Sequence, residues 1–173
     1  MSEPVRIQKL LAGWGIASRR GIERLIENGR IEIDGIRLTT QGFSIDPDQL
    51  PEIRIDGKII SPPTKQQPAI YIFHKPLGVV TTLKDERGRQ TISDFLPTDR
   101  RLYPIGRLDR DSTGLLLITD YGELTNRLLH PSYKVEKEYL VKIDGEPLSP
   151  DEQKQFRQGV AIEEGITAPC RLR

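Results

Sequence analysis

A cluster of ionisable residues precedes a short apolar run near the centre of the chain. Arg107, Asp109 and Arg110 belong to the segment 106–113, and four large apolar residues follow it at 115–118. Four such residues are too few for a helix and suit a strand buried on both faces, so the charged loop enters the core. The two arginines favour the ionised form of Asp109, and a positioned carboxylate can act as a nucleophile or a base.

Two other interpretations of this segment have to be weighed. Mixed-charge loops before strands are common, so the segment can also be an ordinary solvated loop. Asp111 stands two residues after Asp109 and forms the kind of acidic pair that binds metal ions. The flanking arginines already neutralise both carboxylates, which makes the pair a poor cation site, and we expect no metal there.

The composition excludes some classes of protein, but it does not by itself indicate a binding partner. Cys170 is the only cysteine, which excludes a disulfide framework and a thiolate metal cluster and fits a reducing cytosol. The 26 Lys and Arg nearly balance the 25 Asp and Glu, so a nucleic-acid site has to be a local cluster of cations. Because the chain shows no signal peptide and no long apolar run, we expect a cytoplasmic protein without a membrane partner.

The first sixty residues predict two short helices followed by two hairpins. Apolar residues at helical spacing run through 5–14, and Ser18 is placed to cap a second helix that stops at Gly29. Asp34-Gly35 and Asp56-Gly57 each stand between two short alternating segments, which is typical of a tight hairpin. We predict a small domain made of these four elements.

The prolines of residues 61–68 indicate an exposed linker between this domain and a second one. The predicted domains are therefore 1–60 and 69–173. The second domain is predicted to contain, in order, a strand at 69–73, a helical turn at 93–96, the central strand, a helix at 123–129, a strand at 135–143 and a capped helix at 150–158.

Several N-terminal motifs resemble a known RNA-binding module. Residues 5–12, 15–20 and 26–31, with Asp34-Gly35, are similar to the alpha-L RNA-binding domain named from a small-subunit ribosomal protein. In that family the basic second helix and the loop after it lie on the RNA backbone. The resemblance implies five residues that contact phosphates without reading sequence: Lys9, Ser18, Arg19, Arg20 and Arg30. From charge alone, these arginines can equally form a solvated helix face.

The central segment is part of a longer set of motifs. Gly-Arg-Leu-Asp at 106–109, Ser-Thr-Gly-Leu-Leu-Leu at 112–117 and Thr-Asp-Tyr-Gly-Glu-Leu at 119–124 resemble the signature of the pseudouridine synthases. Residues 74–82 resemble the first motif of these enzymes, a strand that ends in Lys-Pro-x-Gly. With the RNA-binding domain, the pattern is similar to the Rsu type, which isomerises uridines of small-subunit or large-subunit ribosomal RNA. It implies an α+β fold, with a small helical and β-hairpin domain followed by a synthase domain on a largely antiparallel sheet.

The resemblance also implies what individual residues do. Asp109 is the catalytic aspartate, which acts on a uridine flipped out of the RNA and reattaches the sugar through carbon five. Tyr139, in the Lys-x-Tyr element, lies beside the base, and Arg107 lies against the vacated stack; no cofactor or metal is needed. Tyr139 can equally be a core residue of its strand. Lys75 precedes a proline, where an exposed side chain is expected, and is a candidate phosphate contact.

The expected partner is ribosomal RNA or a pre-ribosomal particle, and we expect a monomer. The Arg-Gln-Thr loop and the Leu-His-Pro element are closer to the large-subunit enzymes. The first alternative is a non-catalytic RNA-binding or ribosome-assembly factor that retains the fold. A second alternative, a glycoside hydrolase, needs another acid such as Glu123 or Glu138, neither of which lies in a supporting motif.

The resemblance implies further sequence after Arg173. The related enzymes continue into a basic Arg-x-x-Arg motif that completes the cleft, so we expect either a sequence cut short in mid-sheet or a protein without part of the site. On this expectation the 173 residues alone have little synthase activity but still bind RNA. Ser112 also departs from the family, which more often has threonine there, although the hydroxyl is kept.

Overall fold

Two short helices lie near the start of the chain, where apolar residues recur at helical spacing and a serine caps the second helix. The computed structural model describes three stretches of the chain, residues 3–63, 67–163 and 165–172. Helix α1 spans Ile7–Gly13 and helix α2 spans Arg19–Glu27. The Ser18 hydroxyl accepts a hydrogen bond from the Gly21 amide at 3.0 Å, which satisfies one free donor of the first turn. The predicted cap is confirmed.

The strands around these helices pair into two small antiparallel sheets. They are β1 (Val5–Arg6), β2 (Ile31–Ile33), β3 (Ile36–Arg37), β4 (Ser44–Ile45), β5 (Ile53–Ile55) and β6 (Lys58–Ile60). Strand β1 pairs with β4, and the other four form a sheet in the order β3-β2-β5-β6. The aspartate and glycine of both Asp-Gly turns have positive φ, as tight hairpins require, so both predicted hairpins are confirmed.

One apolar core joins these helices and strands. Its fully or nearly fully buried members are Ile7, Leu11, Ile22, Ile26, Ile31, Leu38, Ile45 and Ile53. Each such side chain stabilises the fold by roughly 1.5–3 kcal/mol relative to an exposed one. Because the apolar faces of α1 and α2 point into this core, the charged residues Lys9, Arg19 and Arg20 lie on the surface.

A three-stranded antiparallel sheet follows, in the order β7-β9-β8. Its strands and the next helix are β7 (Ile70–Lys75), β8 (Tyr103–Ile105), β9 (Gly114–Thr119) and α3 (Gly122–Leu129). Short 3-10 turns occur at Ile92–Phe95, close to the predicted turn, and at Pro131–Tyr133. The register of β7 on β9 places Lys75 opposite Gly114, where the segment 106–113 rejoins the sheet.

The central strand β9 was predicted correctly, but its burial on both faces was not. Leu116 and Ile118 pack on a second core together with Val79 and Ile92. Leu115, on the opposite face, is 66% exposed. The second core covers only the face of β9 that carries Leu116 and Ile118. A run of four apolar residues can therefore also occur in a strand that is buried on one face.

A carboxylate fixes the start of this sheet after the predicted linker. The Ala69 amide donates to Asp120 Oδ1 at 2.9 Å, and Arg100 Nη1 donates to Asp120 Oδ2 at 3.1 Å. Thr119 Oγ1 donates to the Ala69 carbonyl at 2.7 Å. Residues 64–66 of the predicted linker lie outside the described residues.

The chain divides into two compact units, Met1–Val135 and Glu136–Arg173. In the second unit, helix α4 (Pro150–Gln158) begins at the predicted capping box, and β10 (Ala161–Ile162) pairs with β11 (Gly165–Ile166). Among the described residues, no helix is long and apolar enough to cross a membrane.

The strand predicted at 135–143 is wrong, since these described residues contain no regular secondary structure. Leu140 is fully exposed there. A strand forms only when its amides and carbonyls pair with a neighbour, and none of the described strands pairs with this segment.

Candidate active site

The candidate catalytic carboxylate lies on the loop 106–113, which joins β8 to β9. Gly106 starts the loop with φ of 81°, a left-handed conformation that favours glycine, and a Cβ there would meet Leu129 at 3.3 Å. The side chains of Arg107 and Asp109 are both exposed. The loop therefore presents an arginine and a carboxylate, two residues apart, to solvent.

Hydrogen bonds from a neighbouring segment fix the backbone on both sides of Asp109. Thr81 Oγ1 donates to the Leu108 carbonyl at 2.5 Å and accepts from the Leu108 amide at 3.3 Å. On the other side, the Gly78 amide donates to the Arg110 carbonyl at 2.9 Å. Thr81 is itself buried. A carboxylate that is exposed but carried by a fixed backbone is oriented before a substrate arrives.

The buried side chain of Lys75 also forms a hydrogen bond to the backbone of this loop. Its ammonium donates to the Pro76 carbonyl at 3.0 Å and to the Arg110 carbonyl at 3.4 Å, and the whole side chain is buried. Burial lowers the pKa of Lys75, and the nearby Asp111 and Asp109 carboxylates partly offset this effect. The expectation of an exposed Lys75 on an RNA phosphate is therefore wrong, because its ammonium points into the protein.

Lys75 is a cation near Asp109 that the sequence did not indicate as a neighbour of this carboxylate. Among the described residues, Asp109 forms no ion pair with Arg107 or Arg110, whereas the field of both loop carboxylates reaches the ammonium of Lys75. The available signal was the Lys-Pro-x-Gly motif, whose glycine, Gly78, has φ of 82° and turns the chain back toward the loop. In the described part of the chain, no group of three or more His, Cys, Asp or Glu residues is arranged to hold a metal.

Tyr139 belongs to the second unit and is 65% exposed in an irregular stretch. The interpretation of Tyr139 as a core residue is therefore wrong for this structure. Its position beside a base stays a prediction.

The predicted phosphate contacts of the first domain fall into two groups. Lys9, Arg19 and Arg20 are exposed and form no ion pair within the described residues. Arg30 instead donates to both carboxylate oxygens of Asp56, at 2.7 and 2.5 Å. This pairing raises the pKa of Arg30 and lowers the pKa of Asp56, first through the side-chain hydrogen bonds. Arg30 is therefore already paired with a carboxylate, and its contact with a phosphate stays a prediction.

Ser18, also among the predicted contacts, is exposed at the N-terminus of α2. Its oxygen accepts the bond from the first turn of the helix, and a hydroxyl that accepts can also donate a hydrogen bond, for example to a phosphate.

Comparison with known proteins identifies the family. Residues 69–169, which include the loop with Asp109, match the family described as RNA pseudouridylate synthase, and residues 5–50 match the S4 domain. The chain belongs to the RNA pseudouridylate synthase family. The α+β fold that the motifs implied, with an S4 domain before a largely antiparallel synthase domain, is confirmed.

Similar proteins in this synthase family come from several bacteria. The chain is 37% identical over 170 residues to the ribosomal large subunit pseudouridine synthase B of Bacillus subtilis, with 97% of this chain and 67% of that protein covered. It is 40% identical over 167 residues to the protein of the same name from Yersinia pestis, with 94% and 52% covered. The chain therefore spans between about half and two thirds of the length of these relatives.

A solved pseudouridylate synthase has a similar fold. Its TM-score is 0.53 at 21% identity, over 95% of this chain and 70% of that one. At this identity the likeness concerns the fold alone.

Proposed function

We propose that this protein isomerises a specific uridine of ribosomal RNA to pseudouridine, and that the uridine belongs to the large subunit. The family match supports the reaction, and the S4 match supports an RNA substrate. Relatives from Bacillus subtilis and Yersinia pestis are named ribosomal large subunit pseudouridine synthases, which supports the choice of subunit.

The proposal is supported mainly by the way in which the backbone around Asp109 is held while its side chain stays exposed. Its side chain is exposed, whereas the carbonyls of the residues on both sides of it accept hydrogen bonds from Thr81, Gly78 and Lys75. A base within folded RNA has to be flipped out before an enzyme can act on it, so the reactive group must be reachable from outside. A fixed but open carboxylate meets this need.

The proposed reaction breaks the bond between N1 of the uracil and C1′ of the ribose and forms a bond between C5 and C1′. A proton leaves C5 and N1 gains one, so atoms and electrons balance without a redox cofactor. Asp109 acts as the nucleophile or base of this exchange. In the same proposal Arg107 lies against the stack that the uridine has left, and Tyr139 lies beside the base.

The remaining parts of the proposal concern the organisation of the protein. Residues 1–60 bind RNA through Lys9, Ser18, Arg19 and Arg20, residues 61–68 link the domains, and residues 69–173 carry the chemistry. We propose that the protein acts as a cytoplasmic monomer, on ribosomal RNA or a pre-ribosomal particle.

The test is to delete the gene and to map pseudouridine in both ribosomal RNAs. The proposal predicts that one pseudouridine disappears from the large-subunit RNA and that the gene restores it. Loss of a small-subunit pseudouridine would correct the substrate. A complete and unchanged pseudouridine map would favour the non-catalytic assembly factor instead.

A further inference from the structure

A groove of about 1000 Å³ lies within the first unit, between helix α1 on one side and β8 and α3 on the other. The residues that line this groove do not include any from the loop 106–113, which carries Asp109. Six of its lining residues are cations or aromatic rings, three of each: Lys9, Arg19 and Arg101, and Trp14, Tyr103 and Tyr121. Three of these belong to the S4 domain and three to the synthase domain.

The charge of this groove is positive once its ion pairs are considered. Two carboxylates also line it, but Glu123 is paired with Arg127 at 2.9 Å and Asp120 with Arg100 at 3.1 Å. Lys9, Arg19 and Arg101 form no ion pair within the described residues. Three uncompensated cations along one groove favour a polyanion over a neutral or acidic peptide.

The aromatic rings of the groove are held in place by their neighbours. The hydroxyl of Tyr121 donates to Glu123 at 2.9 Å, while 40% of the residue stays exposed. The guanidinium of Arg101 lies 5.8 Å from the ring centre of Tyr103, and Trp14 packs on the first core with part of its surface exposed. Fixed rings with open faces are the usual platforms for unpaired nucleobases.

We propose that this groove binds a single-stranded segment of the RNA substrate, with bases on Tyr121 and Trp14 and phosphates on Lys9, Arg19 and Arg101. Paired RNA keeps its bases stacked inside the helix and offers no open base face to these rings, so a single strand fits better. This proposal rests on the proposed function in taking ribosomal RNA as the substrate, and it adds a contact outside the catalytic loop.

The position of the groove along the chain supports this assignment. Tyr103, at the start of β8, is six residues before Asp109, so the two lie within about 20 Å of each other. Leu129 lines the groove and also faces Gly106, the first residue of the catalytic loop. RNA in the groove therefore lies close enough to belong to the same substrate segment as the flipped uridine.

The test uses the 173-residue chain with two labelled probes, an eight-nucleotide single-stranded RNA and an RNA duplex, measured by fluorescence polarisation. Tyr121→Leu should weaken binding of the single strand by about tenfold, because base stacking is lost. Tyr121→Phe keeps the ring and loses only its hydrogen bond to Glu123, so it should retain most of the binding that Tyr121→Leu loses. Arg101→Ala should lower the slope of log affinity against log salt by roughly 0.7 for the single strand. Tyr133→Leu and Lys58→Ala are matched exposed controls that should change neither quantity.

A second measurement uses the unmodified chain, so its result does not depend on whether a variant folds. Photocrosslinking of a 4-thiouridine single strand to the unmodified chain should give crosslinked peptides that contain Tyr121, Tyr103 or Trp14. Crosslinks confined to other peptides, or unchanged single-strand affinity in folded Tyr121→Leu, would overturn the proposal. So would a concentration-dependent dimer that Tyr121→Leu abolishes, since the groove would then hold a second copy. Because these measurements record binding alone, a failure of the proposed isomerisation would show separately, as an unchanged pseudouridine map.

Discussion

Replacement of the buried Lys75 by methionine tests how the catalytic loop is held. The Lys75→Met variant keeps a long unbranched side chain but removes the ammonium that donates to the Pro76 and Arg110 carbonyls. The Arg110 carbonyl would still accept from the Gly78 amide, but its bond to Lys75 would be lost. We expect lower stability and a less fixed Asp109.

The magnitude follows from the two lost hydrogen bonds. Bonds from a charged donor contribute roughly 1.5–3 kcal/mol each, and the bond at 3.4 Å is long enough to contribute less than the one at 3.0 Å. Removing a buried ammonium also removes its desolvation cost, which offsets part of the loss. We expect a net destabilisation of about 2 kcal/mol, or roughly 4–8 °C in the thermal midpoint of a chain of this size.

The pH dependence separates a charged Lys75 from a merely space-filling one. Because burial lowers its pKa from 10.5, the unfolded chain binds more protons than the folded chain between the lowered pKa and pH 10.5. In this window the stability that Lys75 contributes rises with pH, and the Lys75→Met variant lacks that rise. Thermal unfolding of both chains across this range measures the difference, with the exposed Lys58→Met as a control.

A destabilisation below about 0.5 kcal/mol, or two pH profiles that run parallel, would refute this account of Lys75.

Three further predictions concern the first domain and one charged loop. Arg19→Ala should reduce the salt slope of RNA binding by roughly one unit, whereas Arg30→Ala should change it far less because Arg30 is already paired; equal slopes would contradict this. Ser18→Ala should destabilise the S4 domain by about 1 kcal/mol through loss of the helix cap, and unchanged urea unfolding would show that the cap contributes nothing. Hydrogen bonds from Arg89 lower the pKa of Asp85 from 3.8 to about 2. The stability that this pair contributes is therefore fully present above pH 3.8 and is lost as the pH falls through about 2. Arg89→Ala should therefore raise this pKa toward 3.8 in a carboxyl NMR titration, and an unchanged value would contradict the pairing.

The features that the sequence predicted correctly depend on local interactions. The cap at Ser18 acts on an amide three residues away, and the turn at Asp34-Gly35 needs only two residues with positive φ. The hairpins and the helix that begins at Pro150 are equally local. Such elements follow from short-range hydrogen bonding and backbone sterics, which the sequence states directly.

The errors concern features that depend on distant partners. The burial of Lys75 results from its pairing opposite Gly114 and from the Arg110 carbonyl, 35 residues away. The alternating residues at 135–143 have strand character, but a strand also needs a partner, and the described strands provide none. Charge patterning also did not indicate the pairing of Arg30 with Asp56, which lies 26 residues away beside the paired strands β2 and β5.

The most direct test of the central claim is a chromosomal Asp109→Asn change, with Asp111→Asn as the matched control two residues away. Asparagine keeps the shape of the side chain but removes the nucleophile or base. Pseudouridine is then mapped in large-subunit ribosomal RNA by chemical labelling and primer extension. We expect the Asp109→Asn strain to lose the same pseudouridine as the deletion strain, while the Asp111→Asn strain retains it. A normal pseudouridine signal in the Asp109→Asn strain would contradict the assignment of Asp109 as the catalytic residue.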